Sequence, residues 1–106
     1  MDDREALEAI RDAVVEATSP ERIILFGSRA REAARPFSDW DLLVIVDTDR
    51  PTWEVAIDAR LAARVVHAPM DLIVITPREY DDEMAWSSSV VAHAARTGKV
   101  IYEAEG

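Results

Sequence analysis

The stretch FGSRAREAARPFSDWDLLV, residues 26–44, contains the residues that decide the fold and the chemistry of this chain. The pair Gly27-Ser28 directly follows a short apolar run, and ten residues separate Ser28 from Asp39. Asp39 and Asp41 stand at the start of the next apolar run, which favours a strand because it is rich in β-branched and other apolar side chains. Side chains alternate across a strand, so the two carboxylates are predicted to face the same way, about 6–7 Å apart along the backbone.

A third carboxylate is predicted to join this pair. Asp71 opens the apolar run MDLIVI, and the helical stretch before it is a suitable crossover between parallel strands. Parallel pairing would place Asp71 beside Asp39 and Asp41, and an antiparallel first strand would bring the Gly-Ser pair to the same edge. Two anions held so closely raise each other's pKa unless a cation lies between them. Because a hard divalent ion such as Mg²⁺ prefers oxygen ligands, the sequence predicts a metal site at this edge.

The apolar periodicity and the turn signals along the chain predict a single domain, residues 1–106, in which helices and strands alternate. The expected fold class is α/β (α+β), with a mixed β-sheet of about four strands and helices packed mainly on one face. Thr52 is predicted to cap the third helix and Pro77 to open the last one. The predicted strands cover 22–26, 40–46, 70–75 and 99–103, and the predicted helices cover 3–17, 28–34, 53–66 and 78–97, the last with a break at 87–89.

The tryptophans are predicted to pack in the core. Trp40 alternates with the two aspartates along its strand, so its ring is expected on the opposite face, under a helix. Trp86 is expected on a helix at core-like spacing. A four-residue repeat predicts an amphipathic helix that packs its apolar side inward, with the residues Trp53, Ile57, Leu61 and Val65.

Composition and charge exclude several classes of protein. The chain has 12 Lys+Arg and 21 Asp+Glu, a formal net charge of −9, and no cysteine. This acidic balance argues against direct nucleic-acid binding, which depends on clustered basic residues. No apolar run approaches the roughly 20 residues of a membrane-spanning helix. The acidic, amphipathic N-terminal segment does not resemble a targeting signal, so a cytoplasmic location and no membrane partner are expected.

The Gly-Ser pair and the three aspartates, predicted to lie at one edge, suit the transfer of a nucleotidyl group. Gly27 lets a phosphate approach the backbone closely, and Ser28 begins a segment whose free amides and hydroxyl suit a triphosphate. Two Mg²⁺ ions at the aspartates would stabilise the attacking oxygen and the leaving pyrophosphate. Arg29, Arg31 and Arg35 lie in the loop that would pass the phosphates, and any of them is a candidate phosphate contact. We assign Arg29 to the nucleotide site together with the Gly-Ser pair.

The stretch resembles the G-S-x10-D-x-D signature of the DNA polymerase β-like nucleotidyltransferase superfamily, and most resembles the minimal nucleotidyltransferases (MNT proteins) that are encoded beside HEPN-domain partners. The similarity extends over nearly the whole chain. It implies that Gly27 and Ser28 bind the nucleotide phosphates of ATP. It also implies that Asp39, Asp41 and Asp71 are the catalytic residues and hold the metals.

The resemblance further implies an antitoxin that transfers AMP from ATP to a tyrosine hydroxyl of a HEPN ribonuclease toxin. Two other interpretations remain: a catalytically silent antitoxin that masks the toxin by binding alone, and a nucleotidyltransferase for small molecules of the aminoglycoside type. Strands 40–46 and 70–75 are apolar on both faces and therefore need cover on both sides. We expect a partner protein to supply part of that cover and to bring the acceptor hydroxyl.

Overall fold

The computed structural model describes residues 2–31 and 38–105. The order of helices and strands agrees with the prediction, apart from the helix predicted at 28–34. In chain order the elements are α1 (Asp3–Thr18), β1 (Arg22–Phe26), β2 (Trp40–Ile45), α2 (Thr52–Ala62) with a short 3₁₀ turn (Ala63–Val65), β3 (Met70–Ile75), α3 (Pro77–Met84), α4 (Val90–Thr97) and β4 (Lys99–Glu103).

Local capping explains where most of the helices begin and end. Asp2 accepts a hydrogen bond from the Glu5 amide at the start of α1, and Ser19 in the left-handed region ends that helix. Thr76 and Glu79 form a reciprocal capping box, with Pro77 in the first turn of α3 as predicted. These local signals are readable in sequence because each involves neighbours within one helical turn.

Two local predictions need correction. Thr52 is the first residue of α2 rather than its cap, because Pro51 occupies the cap position and its carbonyl accepts the Glu54 amide. Residues 28–31 form turns instead of the predicted helix. The rest of that predicted helix, and Arg35 with it, lie outside the described residues.

The four strands form one sheet in the order β3-β2-β1-β4. Strands β2 and β3 are parallel, with Asp41 opposite Asp71, while β1 runs antiparallel to β2 with Phe26 opposite Asp41. The predicted parallel crossover and the predicted antiparallel first strand are both confirmed. The starts of β2 and β3 and the end of β1 therefore meet at one rim of the sheet.

The sheet carries apolar residues on both faces, and each face packs against helices. On one face the core includes Trp40, Leu42 and Val44, covered by α1 and α2, the two longest helices. On the other face Leu43 and Ile45 belong to a smaller cluster that receives Val91 and Ala95 from α4, together with Tyr80 from α3. This arrangement confirms the predicted α+β class, and it also confirms that Trp40 packs on the side opposite the aspartates.

The predicted burial of the apolar repeat in α2 is wrong. All four of its residues are between 46% and 64% exposed, and Trp86, which lies between α3 and α4 instead of on a helix, is 67% exposed. The helix packs instead through smaller side chains, which allow its backbone to lie close to α1 and β3. The buried residues of this segment are Val55, Ala56, Ala59 and Ala63.

Within residues 2–31 and 38–105, every helix is too short or too polar to cross a lipid bilayer.

Candidate active site

The predicted aspartates meet at the rim formed by the starts of β2 and β3. Asp41 and Asp71 occupy paired positions in the parallel ladder, so their side chains leave the sheet on the same face. Asp39 lies two residues before Asp41 and is exposed, as is Asp71, whereas Asp41 is half-buried. The sequence-based prediction that Asp71 would lie beside the other two aspartates is confirmed.

This arrangement changes the pKa of the Asp41 carboxyl. Burial raises the pKa of its carboxyl above the ordinary value of 3.8, and the neighbouring charges of Asp71 and Asp39 raise it further. Asp41 therefore interacts both with Asp39, two residues before it, and with Asp71, which is distant in sequence. A cation at this rim would relieve the repulsion between them.

Gly27 allows the Gly-Ser turn to approach this carboxylate. Its φ of 75° lies in the left-handed region, where a side chain is strained. A Cβ atom at this position would overlap Oδ2 of Asp41. Glycine is thus needed both for the backbone conformation and for the space beside Asp41, and Ser28 follows at the same rim, half-buried in a turn.

Arg29 lies on the opposite face of the sheet, away from the aspartates. Its guanidinium carbon is 3.9 Å from the centre of the Trp40 ring, and its Nε donates a 3.0 Å hydrogen bond to the Ser38 carbonyl. A terminal nitrogen forms a 3.1 Å ion pair with Asp3 at the start of α1. The structure therefore surrounds Arg29 with protein groups, and its assigned contact with the nucleotide stays a prediction. Arg31 is exposed, as expected for a residue in the turn.

The rim is separate from a cavity among the described residues. That cavity, of about 560 Å³, lies at the far end of β1 and is lined by Glu21, Arg22, Tyr80 and Glu103 among others. It contains none of the predicted site residues. The candidate site therefore lies at the edge of the sheet, outside this cavity.

A family model described as Polymerase beta, Nucleotidyltransferase matches residues 8–105. The chain belongs to this family. The match includes the Gly-Ser turn, Asp39 and Asp41 at the start of β2, and Asp71 in β3, so the residues gathered at the rim lie within the family domain.

Solved structures share the fold of this nucleotidyltransferase-family chain. A protein from Sulfolobus solfataricus assigned as a nucleotidyltransferase aligns with a TM-score of 0.61 and 19% identity, over 93% of this chain and 78% of that one. A toxin–antitoxin structure with AMP-PNP aligns with a TM-score of 0.56 and 21% identity, over 99% and 76%. A mutant of the toxin–antitoxin MntA-HpeT aligns with a TM-score of 0.57 and 19% identity, over 99% and 75%. No curated protein matches the chain.

The donor set at the rim of this family member fits a hard divalent cation. Carboxylate oxygens are the ligands that Mg²⁺ prefers, and the pKa of Asp41 is raised first by burial and then by the negative charges of Asp71 and Asp39. Across residues 2–31 and 38–105, no three acidic, histidine or cysteine side chains, these aspartates included, are placed so that they could hold a metal ion together in this structure. The fit therefore rests on the chemistry of Asp39, Asp41 and Asp71 and on their shared rim.

Sequence reasoning missed the contacts that Arg29 makes on the face of the sheet opposite the aspartates. The contact of Trp40 with a helix-covered core was predicted from strand alternation, but its stacking with Arg29 was not. The partnership of Arg29 with Asp3 has no local signal, because the start of α1 reaches the rim only through tertiary packing.

Proposed function

We propose that this chain is a metal-dependent nucleotidyltransferase that acts as an antitoxin, moving AMP from ATP to a tyrosine hydroxyl of a partner HEPN ribonuclease toxin. The observation that carries the proposal is the pairing of Asp41 with Asp71 beside Asp39 and the Gly27 turn. This combination brings negative charge for cations and the backbone of a glycine turn to the same rim.

Each group at the rim has a distinct role in the proposed reaction. Asp39, Asp41 and Asp71 would hold two Mg²⁺ ions, which when bound supply positive charge to neutralise the triphosphate and the leaving pyrophosphate. Gly27 leaves room for a phosphate against the backbone, and Ser28 offers a hydroxyl. The acceptor oxygen bonds to the α-phosphorus, the bond to the pyrophosphate oxygen breaks, and the hydroxyl proton is released.

The fold similarity to toxin–antitoxin structures over 99% of this chain supports a toxin as the partner. ATP as the nucleotide is supported by the AMP-PNP in one of those structures. The HEPN class of the partner and the tyrosine acceptor come from the sequence resemblance. The proposal therefore combines a site built from this chain's own residues with a partner suggested by its relatives.

An exposed apolar surface on α2 supports binding of a protein partner. Large exposed apolar patches on soluble domains often mark such interfaces. We call the four side chains Trp53, Ile57, Leu61 and Val65 the α2 stripe; each is about half exposed or more. Because α2 connects the end of β2 to the start of the parallel β3, its C-terminal end lies toward the rim that carries Asp71. A partner covering the stripe would thus extend toward the site.

The proposal is tested by intact-mass analysis of the purified toxin partner. The partner is incubated with this chain, ATP and Mg²⁺, and then compared with a sample treated with the Asp41→Asn variant. We expect a mass increase of one or more AMP units with the native chain, located on a tyrosine by peptide sequencing, and none with Asp41→Asn or Asp39→Asn. Asp47→Asn is the matched control, since Asp47 is an exposed aspartate beyond the other end of β2.

The outcomes separate the competing interpretations. A stable complex that inhibits the toxin with no change in mass would support a binding-only antitoxin. AMP transfer to an aminoglycoside without transfer to the toxin would support the small-molecule alternative. Loss of folding in Asp39→Asn and Asp41→Asn would show that these carboxylates are structural.

A further inference from the structure

We infer that Arg29 is a positioning residue, which holds the Gly27-Ser28 turn against the segment carrying Asp39 and Asp41 from the face of the sheet behind the site. The inference deepens the proposed function and depends on it for the kinetic test. It differs from the assignment of Arg29 to the nucleotide, which the sequence suggested.

The first support is the number of separate chain segments that meet at Arg29. Its side chain is only 9% exposed, and it contacts Asp3 of α1, the Ser38 carbonyl and the Trp40 ring. Arg29 is itself two residues from Gly27. One guanidinium therefore joins the Gly-Ser turn, the start of α1 and the entry into β2.

The second support is the position of Trp40 between the two aspartates. Trp40 is 3% exposed and packs in the core beneath α1 and α2. It therefore holds the backbone segment from which Asp39 and Asp41 project on the opposite side. Its backbone amide donates a 3.0 Å hydrogen bond to the Pro69 carbonyl, close to Asp71. The orientation of Trp40 is thus coupled to all three aspartates.

The third support is the environment of the Arg29 guanidinium. A guanidinium this deeply placed is stable only when paired, and the carbonyl, the carboxylate and the aromatic face provide that pairing. Its contacts lie on the Trp40 side of β2, whereas the carboxylates of the site lie on the other. Direct contact with the triphosphate would require Arg29 to leave this cluster.

The test compares Arg29→Ala with Arg29→Lys, using Arg22→Ala as the matched control. Arg22 is also ion-paired, with Glu103, but lies at the opposite end of β1. A displacement of about 1 Å in a catalytic group can cost about 100-fold in rate. We therefore expect Arg29→Ala to lower kcat by 10- to 100-fold, with KM for ATP changing less than threefold. Arg29→Lys should restore part of kcat, and Arg22→Ala should match the native chain.

Amide hydrogen exchange in the nucleotide-free protein provides a readout that does not depend on activity. We expect faster exchange at Trp40 and Asp41 in Arg29→Ala, with exchange in β4 unchanged. Accelerated exchange throughout the chain, or an increase in KM for ATP with kcat and exchange unaltered, would overturn the inference. If the native chain transfers no AMP, the proposed function fails, and the exchange measurement alone still decides whether Arg29 positions this segment.

Discussion

Asp41 and Asp71 lie directly opposite each other at the starts of two adjacent parallel strands. Their carboxylates share one face, and the charge of Asp71 contributes to the raised pKa of Asp41. A folded domain ordinarily avoids like charges in paired positions because they repel. The cation-dependent function proposed above would account for their presence, and it predicts that the stability of the domain depends on pH and on divalent ions.

Asp41→Asn should stabilise the metal-free domain at neutral pH. The native state binds the Asp41 proton more tightly than the unfolded state, so the contribution of this group is fully present below pH 3.8 and is lost as the pH rises through the raised pKa. Asparagine does not ionise, so the variant does not lose this stability as the pH rises. Thermal unfolding in EDTA should therefore show a melting temperature for Asp41→Asn above that of the native chain at pH 7, with the difference shrinking toward pH 4. Equal melting temperatures at pH 7 would contradict the raised pKa of Asp41.

Gly27→Ala should disrupt both the fold and the site. A left-handed φ costs a residue with a Cβ about 1–2 kcal/mol, and overlap with Oδ2 of Asp41 adds to this cost. We expect chemical denaturation to show at least this loss of unfolding free energy, with no AMP transfer by the remaining folded protein. Gly98→Ala is the comparison, because a Cβ there would meet the backbone oxygens of Ala94 and Leu25 instead of an aspartate side chain. It should lose stability but keep transfer at temperatures where it is folded.

Mg²⁺ or Mn²⁺ should raise the melting temperature of the native chain. A ligand that binds only the folded state at a concentration 100 times its Kd stabilises it by about 2.7 kcal/mol. A chain in which Asp39, Asp41 and Asp71 are all replaced by asparagine should show no such increase, and chelation with EDTA should abolish AMP transfer by the native chain. An equal increase in both proteins would place the bound cation elsewhere on this acidic surface.

Leu61→Ser in the α2 stripe should weaken the complex with the toxin partner without destabilising the isolated domain. Leu61 is 56% exposed, and surface substitutions usually change the free energy of unfolding by less than about 0.5 kcal/mol. Val100→Ser is a matched control, since Val100 is 54% exposed on the edge strand β4. Calorimetric titration should give an increase in Kd of tenfold or more for Leu61→Ser alone. Equal affinities for both variants would remove the stripe from the interface.

Sequence alone could predict the alternation of elements and the helix breaks, because apolar periodicity and capping residues act within a few positions of one another. The strand order near the site was also predictable, since a crossover helix requires parallel neighbours and a short link favours an antiparallel one. The exposure of the α2 stripe to solvent was not predictable from sequence. A four-residue repeat shows that one side of a helix is apolar, but the alanines at Ala56 and Ala59 fit closer to the sheet and took the buried side.

The sequence by itself determined which residues come to the rim: alternation along β2 sets the common face of Asp39 and Asp41, and the crossover brings Asp71 into register with them. The tertiary structure alone decided the placement of Arg29. Its carboxylate, carbonyl and aromatic partners come from segments distant in the chain, and the favourable burial of a guanidinium among them depends on a packing geometry that no local pattern encodes.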